Sequence, residues 1–162
     1  MAALTVFKFS DPQGAHQAVP VLLGLQQQQL IRVGDYATVS WPVGAKKPKT
    51  QQATSTAAAG ALGGTFWGML FGLLFFMPFL GAAIGALTGA LTGAFIDVGI
   101  DDDFIKRVKG EVTEGTSALF LLSENAVVDR VAEAFRQLPP HELIASNLTA
   151  EQEAKLKDVF GE

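Results

Sequence analysis

The chain has 162 residues, a formal net charge of −4 and no cysteine. The acidic balance and the scattered lysines and arginines exclude the broad basic surface that nucleic-acid binding requires. The lack of cysteine excludes disulfides, thiolate metal sites and a cysteine nucleophile. Beside the apolar block described below, the length leaves room for one small domain, since single domains usually contain roughly 100–150 residues.

The N-terminal part of the chain predicts a β-α-β unit. Leu4–Phe9 alternates in a β-rich run and predicts the first strand. Asp11 and Pro12 follow as the expected cap and first residue of a helix that runs to about Gln29. The β-branched and aromatic residues of Leu30–Trp41 predict the second strand.

An apolar block, residues 57–96, follows a polar connector. No Asp, Glu, Lys, Arg or His occurs between Lys49 and Asp97, and this run exceeds the roughly 20 residues that a membrane-spanning helix needs. Glycine recurs every fourth residue on both sides of Pro78, which on a helix makes a groove without side chains. The two ladders are Gly60, Gly64, Gly68, Gly72 and Gly81, Gly85, Gly89, Gly93. The pattern predicts a transmembrane glycine-zipper helical hairpin.

The glycine ladders permit two interpretations. Small residues are favoured wherever membrane helices pack, so the ladders could join the two helices of one hairpin that only anchors the chain. The second helix also carries alanines beside its glycines, a broader small face than one partner needs, so lateral self-association is as well supported as simple anchoring. The tip residues Phe76, Met77, Pro78 and Phe79 are apolar. We therefore expect the tip to stay in lipid or against neighbouring subunits.

The C-terminal part of the chain predicts a linking helix and a second β-α-β unit. The predicted elements are a helix over Asp102–Glu114, a strand over Ser117–Leu122, a helix over Ala126–Gln137, a strand over Glu142–Ser146 and a last helix from Thr149 to Phe160. Two β-α-β halves are typical of a ferredoxin-like sandwich, which has four strands and two helices on one face. The predicted fold class is therefore α+β, ferredoxin-like, with an inserted transmembrane glycine-zipper hairpin.

The predicted organisation has three segments. Residues 1–52 form the first half of the domain and the connector, residues 53–98 form the hairpin, and residues 99–162 form the linking helix, the second half and the last helix. Lysines or arginines flank the hairpin on both sides, whereas its tip has none. The positive-inside rule therefore predicts that both termini are cytoplasmic.

A long stretch of the chain resembles a known family. GALGGTFWGMLFGLLFFMPFLGAAIGALTGALTGAFIDVGIDDDFI at 60–105, with GTSALFLL at 115–122, is similar to a bacterial family of predicted membrane proteins known as domain of unknown function 1269. The likeness extends over almost the whole chain and includes VGD at 33–35. It implies a membrane-associated protein linked to stress responses, located in the bacterial inner membrane, and it brings no catalytic residues.

Three groups of polar residues are candidate sites, and none predicts a reaction. In the acidic group, neighbouring residues on a helix point about 100° apart, which disfavours a metal site and favours acids that stabilise the start of a helix. The histidines have no second ligand at metal-binding spacing, and the hydroxyl residues lack a nucleophile turn or a base. These groups are Asp101, Asp102, Asp103; His16, His141; and Thr116, Ser117, Ser123. No enzyme activity, cofactor or metal is predicted.

The expected function is a non-enzymatic, membrane-anchored oligomeric scaffold that organises membrane under stress. Its expected partners are the lipid bilayer and further copies of the chain, with no nucleic acid and no identified small-molecule ligand. One alternative is a pore or transporter subunit, although the block offers only three threonines as polar lining. The other is a small-ligand sensor with a membrane anchor, for which the sequence shows no binding motif.

Overall fold

The computed structural model describes residues 2–31, 33–52, 67, 70, 71, 74, 102–138, 141–148 and 151. The strands are β1 (Ala2–Phe9), β2 (Val33–Trp41), β3 (Lys49–Gln52), β4 (Thr116–Glu124) and β5 (His141–Leu148). The helices are α1 (Gly14–Gln27), α2 (Asp102–Glu111) and α3 (Asn125–Ala134), the last followed by a 3₁₀ turn over Phe135–Gln137.

The strands form one antiparallel sheet in the order β3-β2-β4-β1-β5. β4 lies between β1 and β2 and is antiparallel to both, while β1 lies between β4 and β5 and is antiparallel to both. Each crossover, through α1 or α3, therefore joins two parallel strands that are separated by one strand of the other unit. Because the strands interleave, neither unit has a sheet of its own.

Both faces of the sheet are buried. All residues of β4 from Thr116 to Ser123 are buried, as expected for a near-continuous apolar strand that is covered on both sides. The helix face packs against α1, α3 and the 3₁₀ turn, and its buried residues are Phe7, Phe9, Ala15, Ala18, Leu22, Ile31, Tyr36, Leu119, Leu121, Val131 and Phe135.

The opposite face is covered by α2 and by part of the apolar block. We call it the segment face; its buried residues are Leu4, Val6, Ala37, Val39, Trp67, Leu70, Phe71, Leu74, Phe104, Ile105, Val108, Val112, Ala118, Phe120, Leu122 and Ile144. The four residues from the block are spaced at i, i+3, i+4 and i+7, which places them on one side of a helix. They belong to the core of the folded chain.

The predicted fold class is wrong. The sheet has five strands instead of four, the connector contributes β3, and helices cover both faces instead of one. Within the described residues, no helix combines the length and apolarity needed to cross a bilayer. The predictions of a transmembrane hairpin, a glycine zipper and a membrane protein are corrected accordingly. The uncharged run indicated lipid, but its described residues, Trp67, Leu70, Phe71 and Leu74, are buried in protein.

The ends of α1 differ from the predicted capping. Asp11 does not cap the helix; its Oδ1 accepts a hydrogen bond from the backbone N–H of Gln13, 2.7 Å away, and the helix begins at Gly14. At the other end, the N–H of Leu30 donates to the carbonyl of Leu25 at 3.0 Å, and Gln29 has φ +61°. These are the features of a Schellman ending, in which one residue adopts the left-handed conformation.

Candidate functional site

A buried carboxylate joins the sheet to the apolar block. The register of β2 against β4 shifts between Val33 and Asp35. Beyond this bulge, Asp35 alternates regularly with Ala37 and Val39, so it lies on the segment face, where it is only 2% exposed. Its Oδ1 accepts from the backbone N–H of Tyr36 at 2.8 Å, and its Oδ2 accepts from the indole N–H of Trp67 at 3.1 Å. A buried carboxylate needs such donors, because an unpaired one is costly in a low-dielectric interior.

The indole of Trp67 also belongs to an aromatic cluster. It stacks on Phe71 with ring centroids 5.8 Å apart. Phe120 of β4 makes T-shaped contacts with both rings, with centroids 6.3 Å from Trp67 and 5.2 Å from Phe71. Aromatic pairs at these distances add about 0.5–1.5 kcal/mol beyond the area that they bury. The described residues of the block are therefore held on the sheet by the Asp35–Trp67 hydrogen bond and by packed rings.

Tyr36 follows Asp35 and lies on the opposite, helix face. Burial raises the pKa of its phenol, and the nearby Asp35 charge raises it further. Both effects disfavour the phenolate, because a buried negative charge next to another negative charge is poorly solvated. The phenol is consequently protonated at neutral pH and is not poised as a base.

Two buried serines hold the turn between β1 and α1 on the helix face. Ser117 and Ser40 are opposite each other in β4 and β2. The Ser117 hydroxyl donates to the carbonyl of Asp11 at 2.6 Å and accepts from the N–H of Ala15 at 2.9 Å. The Ser40 hydroxyl donates to the carbonyl of Pro12 at 2.7 Å. Ser117 of β4 thus caps the start of α1, so its hydroxyl has a structural role.

The two edges of the sheet differ in length and in chemistry. β3 is four residues long and begins with an exposed lysine, Lys49. β5 is eight residues long and pairs with β1 without a register shift, from Ala2 opposite Leu148 to Phe9 opposite His141. Leu143 of β5 is 46% exposed. In the sheet of described strands, β5 has no neighbour on its outer side.

The predicted site residues are mostly not described. The glycine ladders, at residues 60, 64, 68, 72, 81, 85, 89 and 93, and the tip at 76–79 lie outside the described residues. His16 is exposed on α1, His141 begins β5, and Asp103 is exposed on α2. In the part of the chain that is described, no three His, Asp or Glu side chains group closely enough to hold a metal ion. Localisation and the lipid partner stay predictions.

Sequence reasoning missed Asp35 as a buried anchor. A usable signal was present, because Asp35 is the one acid within a strand of β-branched and aromatic residues and follows Gly34 directly. A glycine inside a strand often marks a bulge, and Asp35 shares its side of the strand with the apolar residues Ala37 and Val39. The serine pair had no comparable signal, since its partners are backbone groups of a distant turn.

Comparison with known proteins finds a match to a family of unknown function. Residues 61–161 match the model of the family described as protein of unknown function, DUF1269. The match covers more than half of the chain and includes α2, α3, β4 and β5. No curated protein matches the chain. No solved structure matches it either.

Proposed function

Because the chain belongs to the DUF1269 family, whose description names no function, we propose a role from the geometry: a non-enzymatic scaffold that assembles copies of itself. The surface used is the outer edge of β5. The observation that carries this proposal is the contrast between the two edges of the sheet. The β3 edge has more of the features that keep sheets from joining than the β5 edge has.

Natural sheets avoid joining edge to edge by keeping edge strands short, charged, bulged or interrupted by proline. The β3 edge follows this rule, since it is short and carries Lys49. The β5 edge does not: its sequence, HELIASNL, contains no lysine and no proline, and its register with β1 has no bulge. An unprotected edge of this length offers a row of backbone donors and acceptors to another strand.

A second copy of this chain is the partner that fits. Glu142 is the only carboxylate or lysine in β5, so two antiparallel copies can be aligned without opposed like charges. Leu143 is 46% exposed, and strand addition would cover it. An edge with an exposed apolar side chain and little charge favours self-pairing over recognition of a strongly charged partner.

The test is the oligomeric state of the full chain, measured by light scattering coupled to size exclusion at tens of micromolar. We expect an oligomer for the wild type and a monomer for Leu143→Lys, because lysine on an edge strand repels a second copy. Val43→Lys is the matched control, since Val43 is 82% exposed on the loop after β2, and it should keep the oligomer.

Two outcomes would contradict the proposal. A monomeric wild-type chain would mean that the β5 edge is not used between copies. An oligomer that survives Leu143→Lys as well as Val43→Lys would place the assembly surface elsewhere. Both variants must also unfold cooperatively on heating, so that loss of assembly is not loss of folding.

A further inference from the structure

We propose that two β5 strands pair antiparallel about a two-fold axis that lies midway between the two copies of Ile144, which we call an axis at Ile144. This pairing joins the two sheets into one continuous sheet. The proposal rests on the assembly function above and specifies its geometry. It makes each Ile144 the residue opposite its own copy. It also decides which residues of β5 meet across the interface.

Symmetry limits the possible registers. Opposed residues in an antiparallel pair lie on the same face of the sheet, and successive residues alternate between faces. In an interface between two identical strands, a contact from one residue to another occurs twice, once in each direction. Opposed residues must therefore be separated by an even number of positions. A register with Ile144 opposite Ala145 is excluded, and one residue of the strand has to lie opposite its own copy.

The composition of β5 selects among the remaining registers. An axis at Glu142 would oppose two carboxylates, which destabilises a strand pair. An axis at Ile144 or at Ala145 uses nearly the whole strand, residues 141–147 or 142–148. With the axis at Ala145, the exposed Leu143 would face the polar Asn147.

With the axis at Ile144, apolar residues meet and the charge has a polar partner. Leu143 faces Ala145, and the two Leu143 side chains become diagonal neighbours within reach of each other. Glu142 faces the polar residue Ser146, so the two carboxylates are not opposed. This register covers the apolar side chain that β5 exposes in one copy, where Leu143 is 46% accessible. It is therefore the favoured one.

This arrangement also fixes the sides of the assembled sheet. An axis that relates antiparallel edge strands stands perpendicular to the sheet, so the same face of each copy points to the same side. Ile144 belongs to the segment face, and the segment faces of both copies lie together. Trp67 and its neighbours are then presented from one side of the assembly, with α1 and α3 of both copies on the other.

Cysteine pairs test the register in the full chain, which has no native cysteine. We expect the double variant Glu142→Cys/Ser146→Cys to form a covalent dimer on mild oxidation, seen by non-reducing electrophoresis and intact mass. The two sites cannot join within one strand, because four residues of strand span about 13 Å and a disulfide needs Cα atoms within about 7 Å. Each single variant should therefore stay largely uncrosslinked.

A second cysteine pair tests the competing register, in which the axis is at Ala145. Glu142→Cys/Leu148→Cys should not crosslink if the axis is at Ile144 and should crosslink if it is at Ala145, which would overturn the proposal. An oligomeric wild type with neither pair crosslinked would also overturn this geometry while leaving the scaffold function in place. A monomeric wild type would instead refute the scaffold function itself.

Discussion

The two faces of the sheet are anchored by different chemistry. On the helix face, neutral hydroxyls of Ser40 and Ser117 bind backbone groups of the turn before α1. On the segment face, the carboxylate of Asp35 binds the indole of Trp67. A hydroxyl both donates and accepts, so it can join a helix start that presents both kinds of group, whereas a carboxylate only accepts and requires a donor such as an indole.

This difference reflects how the elements that pack on each face are connected to the sheet. The helix face is covered by crossovers that follow their own strands directly, and the serines only adjust where α1 begins. The segment face is covered in part by residues from the long apolar block, whose side chains pack on rings such as Phe120. There, a directional bond selects which ring of the block lies beside the bulge. The four predictions below test this contrast.

The largest expected effect comes from removing the main ring of the segment face. Trp67 is 1% exposed, and replacing a buried tryptophan by alanine costs about 3–5 kcal/mol in the free energy of unfolding. Urea unfolding of Trp67→Ala should show a loss of this size. Phe135→Ala, which removes a buried ring from the helix face, is the matched comparison and should cost a similar amount. A change below about 1 kcal/mol for Trp67→Ala alone would mean that the block does not cover the sheet in solution.

The bond between Asp35 and Trp67 should show as a coupling energy. We expect the double-mutant cycle of Asp35→Ala with Trp67→Phe to give a coupling of about 1–3 kcal/mol, the range for hydrogen bonds to charged groups and for residues in contact. The control cycle combines Trp67→Phe with Ser117→Ala, which lie on opposite faces and should be additive. Additive behaviour of the first cycle would show that the carboxylate does not hold the indole.

The serine anchor of the helix face should have a smaller effect. Ser117→Ala leaves the N–H of Ala15 and the carbonyl of Asp11 without their hydroxyl partner, and loss of a helix cap costs about 0.5–2 kcal/mol. Chemical unfolding measures the difference. Ser123→Ala serves as the control, because its hydroxyl donates only to the adjacent carbonyl of Glu124, at 3.2 Å. Equal losses for both serines would contradict the capping role.

The titration of Tyr36 should have no effect on stability at neutral pH. The raised pKa means that its contribution to stability is complete below about pH 10, the unfolded value, and is lost as pH rises through the folded value. Tyr36 is the only tyrosine, so phenolate absorbance of the folded chain should rise above that pH and shift down to it in urea. Asp35→Asn should lower the folded pKa only in part, since burial is the larger cause. An unshifted titration in the folded chain would contradict the buried environment.

Local patterns predicted the individual elements better than their arrangement. The alternation of Leu4–Phe9 and the β-branched run to Trp41 predicted β1 and β2 close to their observed bounds. The position of β3 and the capping of α1 by Ser117 were not predicted, because both depend on contacts with residues distant in sequence. Ser117, for example, lies 102 positions from Ala15, and no local spacing relates them.

By itself, the sequence determined where strands and helices form and to which family the chain belongs, because backbone periodicity and a long specific motif are local properties. Only the tertiary structure decided where the described part of the apolar block goes. Hydropathy measures the tendency of a side chain to leave water, and a sheet with two apolar faces meets that tendency as well as lipid does. Trp67, Leu70, Phe71 and Leu74 are buried against such a face, and the acceptor that orients Trp67 comes from a bulge in another strand.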